Sequence, residues 1–254
     1  MSDTNSEKII VSEHDDDVHE LFFGVESKVR ADNILQNNLT QFEWVVRNKM
    51  YPLFWGRNIT GQNAITKEEV SFIHRQGCKI VLICNDDDKM LTEEQGAAFG
   101  ESIVCLIAKI GVPVNTAIFM EIDETKEVYT SYMCGFAKTL LFHGLIPGFK
   151  ANTDAKFSFD REYSRGMRIE PETFNKILIW AVSPTLEEYD RITTTHLIQP
   201  DYWEPFAPSG ITRNDIAIWQ YGKECHPIRD NFNNDTFFNI NLLRNMEIFI
   251  ENMF

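Results

Sequence analysis

No run of about 18 apolar residues occurs in this 254-residue chain, so the sequence offers no helix to span a membrane. The N-terminus is polar and acidic where a secretory signal needs a basic stretch followed by an apolar one. The expectation is a cytoplasmic protein, or one exported without such a signal. C-x-x-C is also missing, and the cysteines are five (Cys78, Cys84, Cys105, Cys134, Cys225), an odd number. That usage fits a reducing compartment and argues against a disulfide framework. The six histidines show no metal-ligand spacing. His14 and His19 flank Asp15-Asp16-Asp17 in what reads as a solvated tail, and no metal or other cofactor is expected. Basic residues are scarce: 24 Lys and Arg stand against 38 Asp and Glu, for a net charge of -14. Such a surface repels nucleic acid and anionic membranes, so neither is expected as a partner. No G-x-G-x-x-G, G-x-x-x-x-G-K-[ST] or G-x-S-x-G is present, which removes the usual signatures of nucleotide binding and of a serine nucleophile.

The chain does hold apolar segments in regular alternation with helical patterns. With 43% hydrophobic residues it can bury a large core. Residues 1–20 carry seven acids and one base and read as an acidic, flexible tail. From Leu21 the order is strand, helix, strand, helix. Strands are expected at 21–24, 52–57, 79–84, 117–123, 145–149, 177–182 and 216–221. Helical periods cover 33–48, 93–110 and 128–143, and the stretch 237–254 reads as an amphipathic helix. Thr66-Lys67-Glu68-Glu69 and Thr92-Glu93-Glu94-Gln95 have the form of capping boxes, and Thr185-Leu186-Glu187-Glu188 offers a third. Residues 184–214, rich in Pro and Thr, give the weakest pattern. Without a repeat or linker, residues 21–254 form one α/β domain. An open doubly wound sheet and a (β/α)8 barrel both fit. The missing phosphate-binding loops favour the barrel, irregular around its last strands.

In such a barrel the site lies at the C-terminal ends of the strands. The strand Ala117 to Ile122 is followed at once by Asp123, and alternation places Glu121 and Asp123 on one side. Two neighbouring carboxylates at a buried strand end are expected to push one pKa upward and split into acid and base. The other strand ends deliver Glu26, Arg57, Asn85, Trp180, Trp219 and Gln220, with Asp230 in a later loop. Acids, amides, an arginine and aromatics suit a sugar, whose hydroxyls seek polar partners and whose apolar face stacks on rings. Each also has a structural role open to it: Arg57 can neutralise Glu26 or Glu121, the tryptophans can fill the core, and Asp230 can be a turn residue.

Phe54-Trp55-Gly56-Arg57, Ile65 to Val70 and His74-Arg75-Gln76-Gly77 resemble a family of bacterial glycoside-hydrolase-like TIM-barrel domains. That family is itself distantly similar to the muramidases of glycoside hydrolase family 25. Gly24-Val25-Glu26, Leu82 to Asn85, Gly111-Val112-Pro113, Thr116 to Phe119, Ile122-Asp123, Gly144 to Phe149, Trp219 to Gly222 and Ile228 to Asn231 follow in the family's order. Three departures stand out. Glu26 replaces the family's Asp, Glu121 stands where a small residue is usual, and Asp230 and Asn231 are adjacent. The resemblance implies an acidic pocket acting on peptidoglycan or a related polysaccharide, without a metal. Asp123 and Glu26 would be the main carboxylates, Glu121 a tuning group or the acid, and Asp230 auxiliary. Arg57, Asn85, Trp180, Trp219 and Gln220 would hold the sugar. The competing expectation is an inactive glycan-binding or structural module on the same scaffold, and a third is an exported effector with this fold.

Overall fold

The computed structural model describes residues 9–12, 18–35, 38–47, 51–186, 200, 202–225, 238–244 and 251–254. The elements are β1 (Ile9–Ser12), β2 (Val18–Glu26), α1 (Gln41–Arg47), β3 (Phe54–Asn58), α2 (Lys67–Arg75), β4 (Lys79–Asn85), α3 (Glu93–Ile110), β5 (Ala117–Ile122), α4 (Thr130–Phe142), β6 (Ile146–Ala151), α5 (Ser158–Ile169), α6 (Pro171–Phe174), β7 (Leu178–Leu186), β8 (Ile216–Cys225) and β9 (Phe238–Arg244). Strands β2 to β9 pair in sequence order, and β9 pairs back onto β2, which closes an eight-stranded barrel. Strands β2 to β8 run parallel to one another. The closing strand is antiparallel to both β2 and β8, with Leu21 opposite Arg244 and Glu26 opposite Asn239. This is the single-domain barrel of the (β/α)8 type that the alternation of elements implies.

Several elements differ from the sequence expectation. Part of the acidic tail is strand: Ile9–Ser12 folds back antiparallel on Val18–Leu21. The expected C-terminal helix is replaced over Phe238–Arg244 by the closing strand. Among the described residues of the helix expected over 33–48, Gln41–Arg47 alone is helical. Helix α5 had no counterpart in the sequence reading. The third capping box is not one, because Thr185 lies within β7. Its Glu187 and Glu188 lie outside the described residues.

Local chemistry fixes the remaining helices. Thr66 caps α2 by accepting from Glu69 N–H. Thr92 and Gln95 form a complete capping box at α3, and Gly111 ends that helix in the left-handed region at φ 79°. Helices α3 and α4 meet at backbone distance: a Cβ added at Gly96 would lie 2.0 Å from Tyr132 O, and one at Gly135 2.0 Å from Glu93 O. No helix among the described residues is long and apolar enough to cross a membrane.

Two apolar layers follow from strand alternation. Trp55, Ile80, Leu82, Cys84, Ile118 and Met120 pack outward against the helices. Phe22, Phe54, Val81, Ile83, Phe119, Trp180, Ile218 and Leu243 fill the interior. Residues 251–254 seal the lower end. Met253 is buried among the interior side chains. Phe254 exchanges backbone hydrogen bonds with Ile80, and Asn252 O accepts from Ala117 N–H. The upper ends of the same inward positions carry polar side chains.

Candidate functional site

The inward-facing residues at the strand tips are Glu26 on β2, Asn85 on β4, Glu121 on β5, Lys150 on β6, Gln220 on β8 and Asn239 on β9. All six line one cleft of about 590 Å3 at the C-terminal mouth, together with Asp123, Glu124, Lys28 and Lys223. Alternation explains the set. In each strand the residue two positions below belongs to the barrel interior or is a glycine, as with Ile83 below Asn85, Phe119 below Glu121, and Gly148 below Lys150.

Lys150 organises the centre. Its Nζ donates to both carboxylate oxygens of Glu26, each at 2.6 Å, and to Glu121 Oε1 at 2.8 Å. It also sits 5.1 Å from the Trp180 ring centroid, in cation–π range. The side chains of Lys150 and Glu26 are 1% and 4% exposed, and that of Glu121 is 24% exposed. Amides complete the shell: Asn85 Nδ2 donates to Glu121 Oε2 at 2.6 Å and Asn239 Nδ2 to Glu26 Oε2 at 3.1 Å. Beneath them Trp180 Nε1 donates to Asn241 Oδ1 at 3.0 Å. Charges this deeply buried persist only when paired and hydrogen-bonded, and these are.

The pairing sets the protonation states. Burial pushes the Glu121 carboxyl upward, but the Lys150 ammonium and the hydrogen bonds from Lys150 and Asn85 outweigh it and hold the pKa at about 2. Burial alone would lower Lys150, yet Glu121 and Glu26 raise it, so its ammonium is kept. Asp123 is exposed, and its Oδ1 accepts from Thr125 Oγ1 at 2.6 Å and Thr125 N–H at 2.8 Å. Those hydrogen bonds lower its pKa. The expected raised member of the Glu121/Asp123 pair is therefore absent from the free protein: a cation and donors lie where a bare pair would repel. The structure does place both carboxylates on the cleft wall.

Arg57 does not reach the cleft. It lies on the outer face of β3 with no exposure, its Nε 2.7 Å from Glu69 Oε1. Nη1 donates to Ser27 O and Nη2 to Asn63 O, each at 2.8 Å. Glu69 also accepts from Ala31 N–H at 2.8 Å, so its carboxylate ties the loop after β2 to α2 instead of completing the capping box at Thr66. Trp219 likewise faces outward. Its Nε1 donates to Ser183 O at 3.0 Å, and its ring packs with Trp203 and Tyr202. Trp180 faces inward but is fully buried below Lys150. Asn85 and Gln220 are in the cleft wall, and each has a buried amide oxygen with no protein partner among the described residues. Gln220 is 1% exposed. Asp230 lies outside the described residues. Central among the residues that sequence reasoning missed are Lys150, Asn239 and Asn241. The signals were a lysine inside the apolar strand Phe149-Lys150-Ala151, and the strict alternation Phe238-Asn239-Ile240-Asn241-Leu242.

No family model and no curated protein matches this chain. Solved structures do. An uncharacterized B. stearothermophilus protein is 22% identical, with a TM-score of 0.72 over 92% of this chain and 100% of that one. The modular autolysin LytC from Streptococcus pneumoniae, solved with a synthetic peptidoglycan ligand, is 8% identical with a TM-score of 0.51. The match covers 92% of this chain but 52% of LytC, so the chain spans about half of that protein's length. A family GH25 lysozyme from Aspergillus fumigatus is 8% identical, with a TM-score of 0.50 over 88% of this chain and 93% of that one. At these identities the likeness shows a shared barrel fold, and that fold is the one found in family GH25 lysozymes.

Proposed function

We propose that the chain is a glycoside hydrolase acting on peptidoglycan or a related polysaccharide at the C-terminal mouth of its barrel. The carrying observation is the cleft itself, which gathers Glu26, Glu121 and Asp123 beside the amide oxygens of Asn85 and Gln220, which have no partner among the described residues. Buried acceptors without partners call for a ligand rich in O–H or N–H donors, and a sugar supplies them.

In this reading Glu121, ionised down to about pH 2, stabilises positive charge developing at the anomeric carbon. Asp123 is the proton donor. Its Oδ1 is held by Thr125, which leaves Oδ2 for the glycosidic oxygen, and a sugar covering the exposed carboxyl strips its water and raises its pKa. Because the carboxyl is lowered in the free protein, kcat/KM is expected to rise as the pH falls from about 7 to about 5.

One observation favours a second reading, a glycan-binding module without turnover. Lys150 pairs with both oxygens of Glu26 and with one oxygen of Glu121, whose other oxygen accepts from Asn85, an arrangement that suits a fixed receptor. Mass-spectrometric product analysis on purified peptidoglycan and soluble glycans, beside Asp123→Asn, separates the two. New reducing ends from the unaltered protein, reduced at least 100-fold in the variant, support hydrolysis. Glycan binding by calorimetry with no products from either protein supports the module.

A further inference from the structure

Beside the cleft, the chain after β7 presents an aromatic ring on a fixed backbone. Phe206 is 52% exposed. A single exposed apolar residue is ordinary. Here, however, the backbone is pinned from both sides. Phe206 N–H donates to Ser183 Oγ at 3.3 Å, and Phe206 O accepts from Thr153 Oγ1 at 2.6 Å. Both anchoring residues are buried. The following turn is tied down as well, since Ser209 N–H and Oγ donate to the Asp160 carboxylate at 2.6 and 3.2 Å. Trp203 Nε1 donates to Arg213 O at 2.9 Å and holds the far end.

Phe206, Asp154, Ile211 and Arg213 line an open recess of about 540 Å3. It is contiguous in the chain with the cleft. Asn152 lines the cleft and its Oδ1 accepts from Asp154 N–H at 3.0 Å. Val182 lines the cleft, and the next residue, Ser183, anchors Phe206. Of the charged side chains of the recess, Arg213 pairs with Glu204 at 3.8 Å and Asp154 with Lys156 at 3.4 Å, Asp154 Oδ1 also accepting from Lys156 N–H at 3.0 Å; both are surface ion pairs. Such pairs exchange partners at little cost.

A rigid aromatic face flanked by one carboxylate and one guanidinium matches the two sides of a pyranose ring: C–H groups for the ring, hydroxyls for the charges. We infer that the recess is a second sugar subsite, which binds a ring of the glycan beyond the carboxylate cleft, so that the protein engages a polymer and not an isolated disaccharide. The inference rests on the glycan reading above and adds to it a length requirement.

The test is calorimetric binding of β-1,4-linked N-acetylglucosamine oligomers of two to six units and of soluble peptidoglycan strands, to the unaltered chain, Phe206→Ala and Phe206→Trp. Affinity should rise with length for the unaltered chain. Phe206→Ala should lose about tenfold for the longest ligands and nothing for the shortest, and Phe206→Trp should restore the loss. Equal affinity of Phe206→Ala and the unaltered chain at every length, or an equal loss at every length, overturns the subsite while leaving the glycan reading standing. No binding of any ligand by the unaltered chain overturns both.

Discussion

Replacing Lys150 by methionine keeps most of the stem and removes the charge that joins Glu26 to Glu121. Truncating one partner of a buried ion pair costs about 3 to 5 kcal/mol, because the other charges stay buried without compensation. Part of that cost can be worked from Glu121. Its pKa falls from 4.5 to about 2 on folding, and at 1.36 kcal/mol per unit the stabilisation is on the order of 3 kcal/mol. The folded value lies below the unfolded one. This stability is therefore complete above about pH 4.5 and is lost as the pH falls toward 2. In Lys150→Met the two carboxylates face each other with no cation between them, which raises the pKa of one of them. Acidification then relieves the variant while it weakens the unaltered chain. The stability difference from urea unfolding should be largest near neutral pH and shrink steadily as the pH is lowered toward about 3.5. Taking the difference removes the background from the other carboxylates of an acidic protein. A difference that stays constant across that range would show that the cost is lost packing under Trp180, and the electrostatic account would be wrong.

Two further predictions concern the frame. Gly135→Ala sets a methyl 2.0 Å from the backbone oxygen of Glu93, which cannot turn aside, and should cost about 3 kcal/mol or more by urea unfolding. Gly100→Ala meets the Thr139 side chain at 2.9 Å and should cost less; equal losses would deny that helices α3 and α4 touch at backbone distance. Glu69→Gln leaves Arg57 buried without its countercharge and should lower stability by about 3 to 5 kcal/mol, whereas the pair Arg57→Met with Glu69→Leu should recover much of it. A double variant no more stable than Glu69→Gln would refute the uncompensated-charge argument.

The sequence carried the barrel because apolar runs such as Lys79–Cys84 and Ala117–Ile122 alternate with capped helices, and both signals are local. It misled where strands are apolar on both faces. In Phe54-Trp55-Gly56-Arg57 nothing local says which residues point inward, and the choice of Arg57 over its neighbours put an outward ion pair into the cleft. The same ambiguity put Trp219 in the site beside Gln220, although only Gln220 and Ile218 of that strand end point inward. The strand β9 was read at the wrong period, as a helix, although asparagines at 239 and 241 alternate with apolar residues. Lys150 escaped because a lysine in a buried strand makes sense only once β2 and β5 bring their carboxylates to it. The environment of Glu121 could not be read from its own strand for the same reason.

The way the barrel closes has a kinetic consequence. Its last seam joins Leu21–Glu26 to Asn239–Arg244, and its floor is filled by Met253. The seam links residues more than two hundred positions apart, and the floor ties Ile80 to Phe254 and Ala117 to Asn252, more than a hundred positions apart, so neither can form until nearly all of the chain is available. Pairings of such high sequence separation form slowly, and until then β2 and β8 present open edges able to pair with another chain. Refolding at rising protein concentration should therefore lose yield to aggregation at the stage before β9 docks.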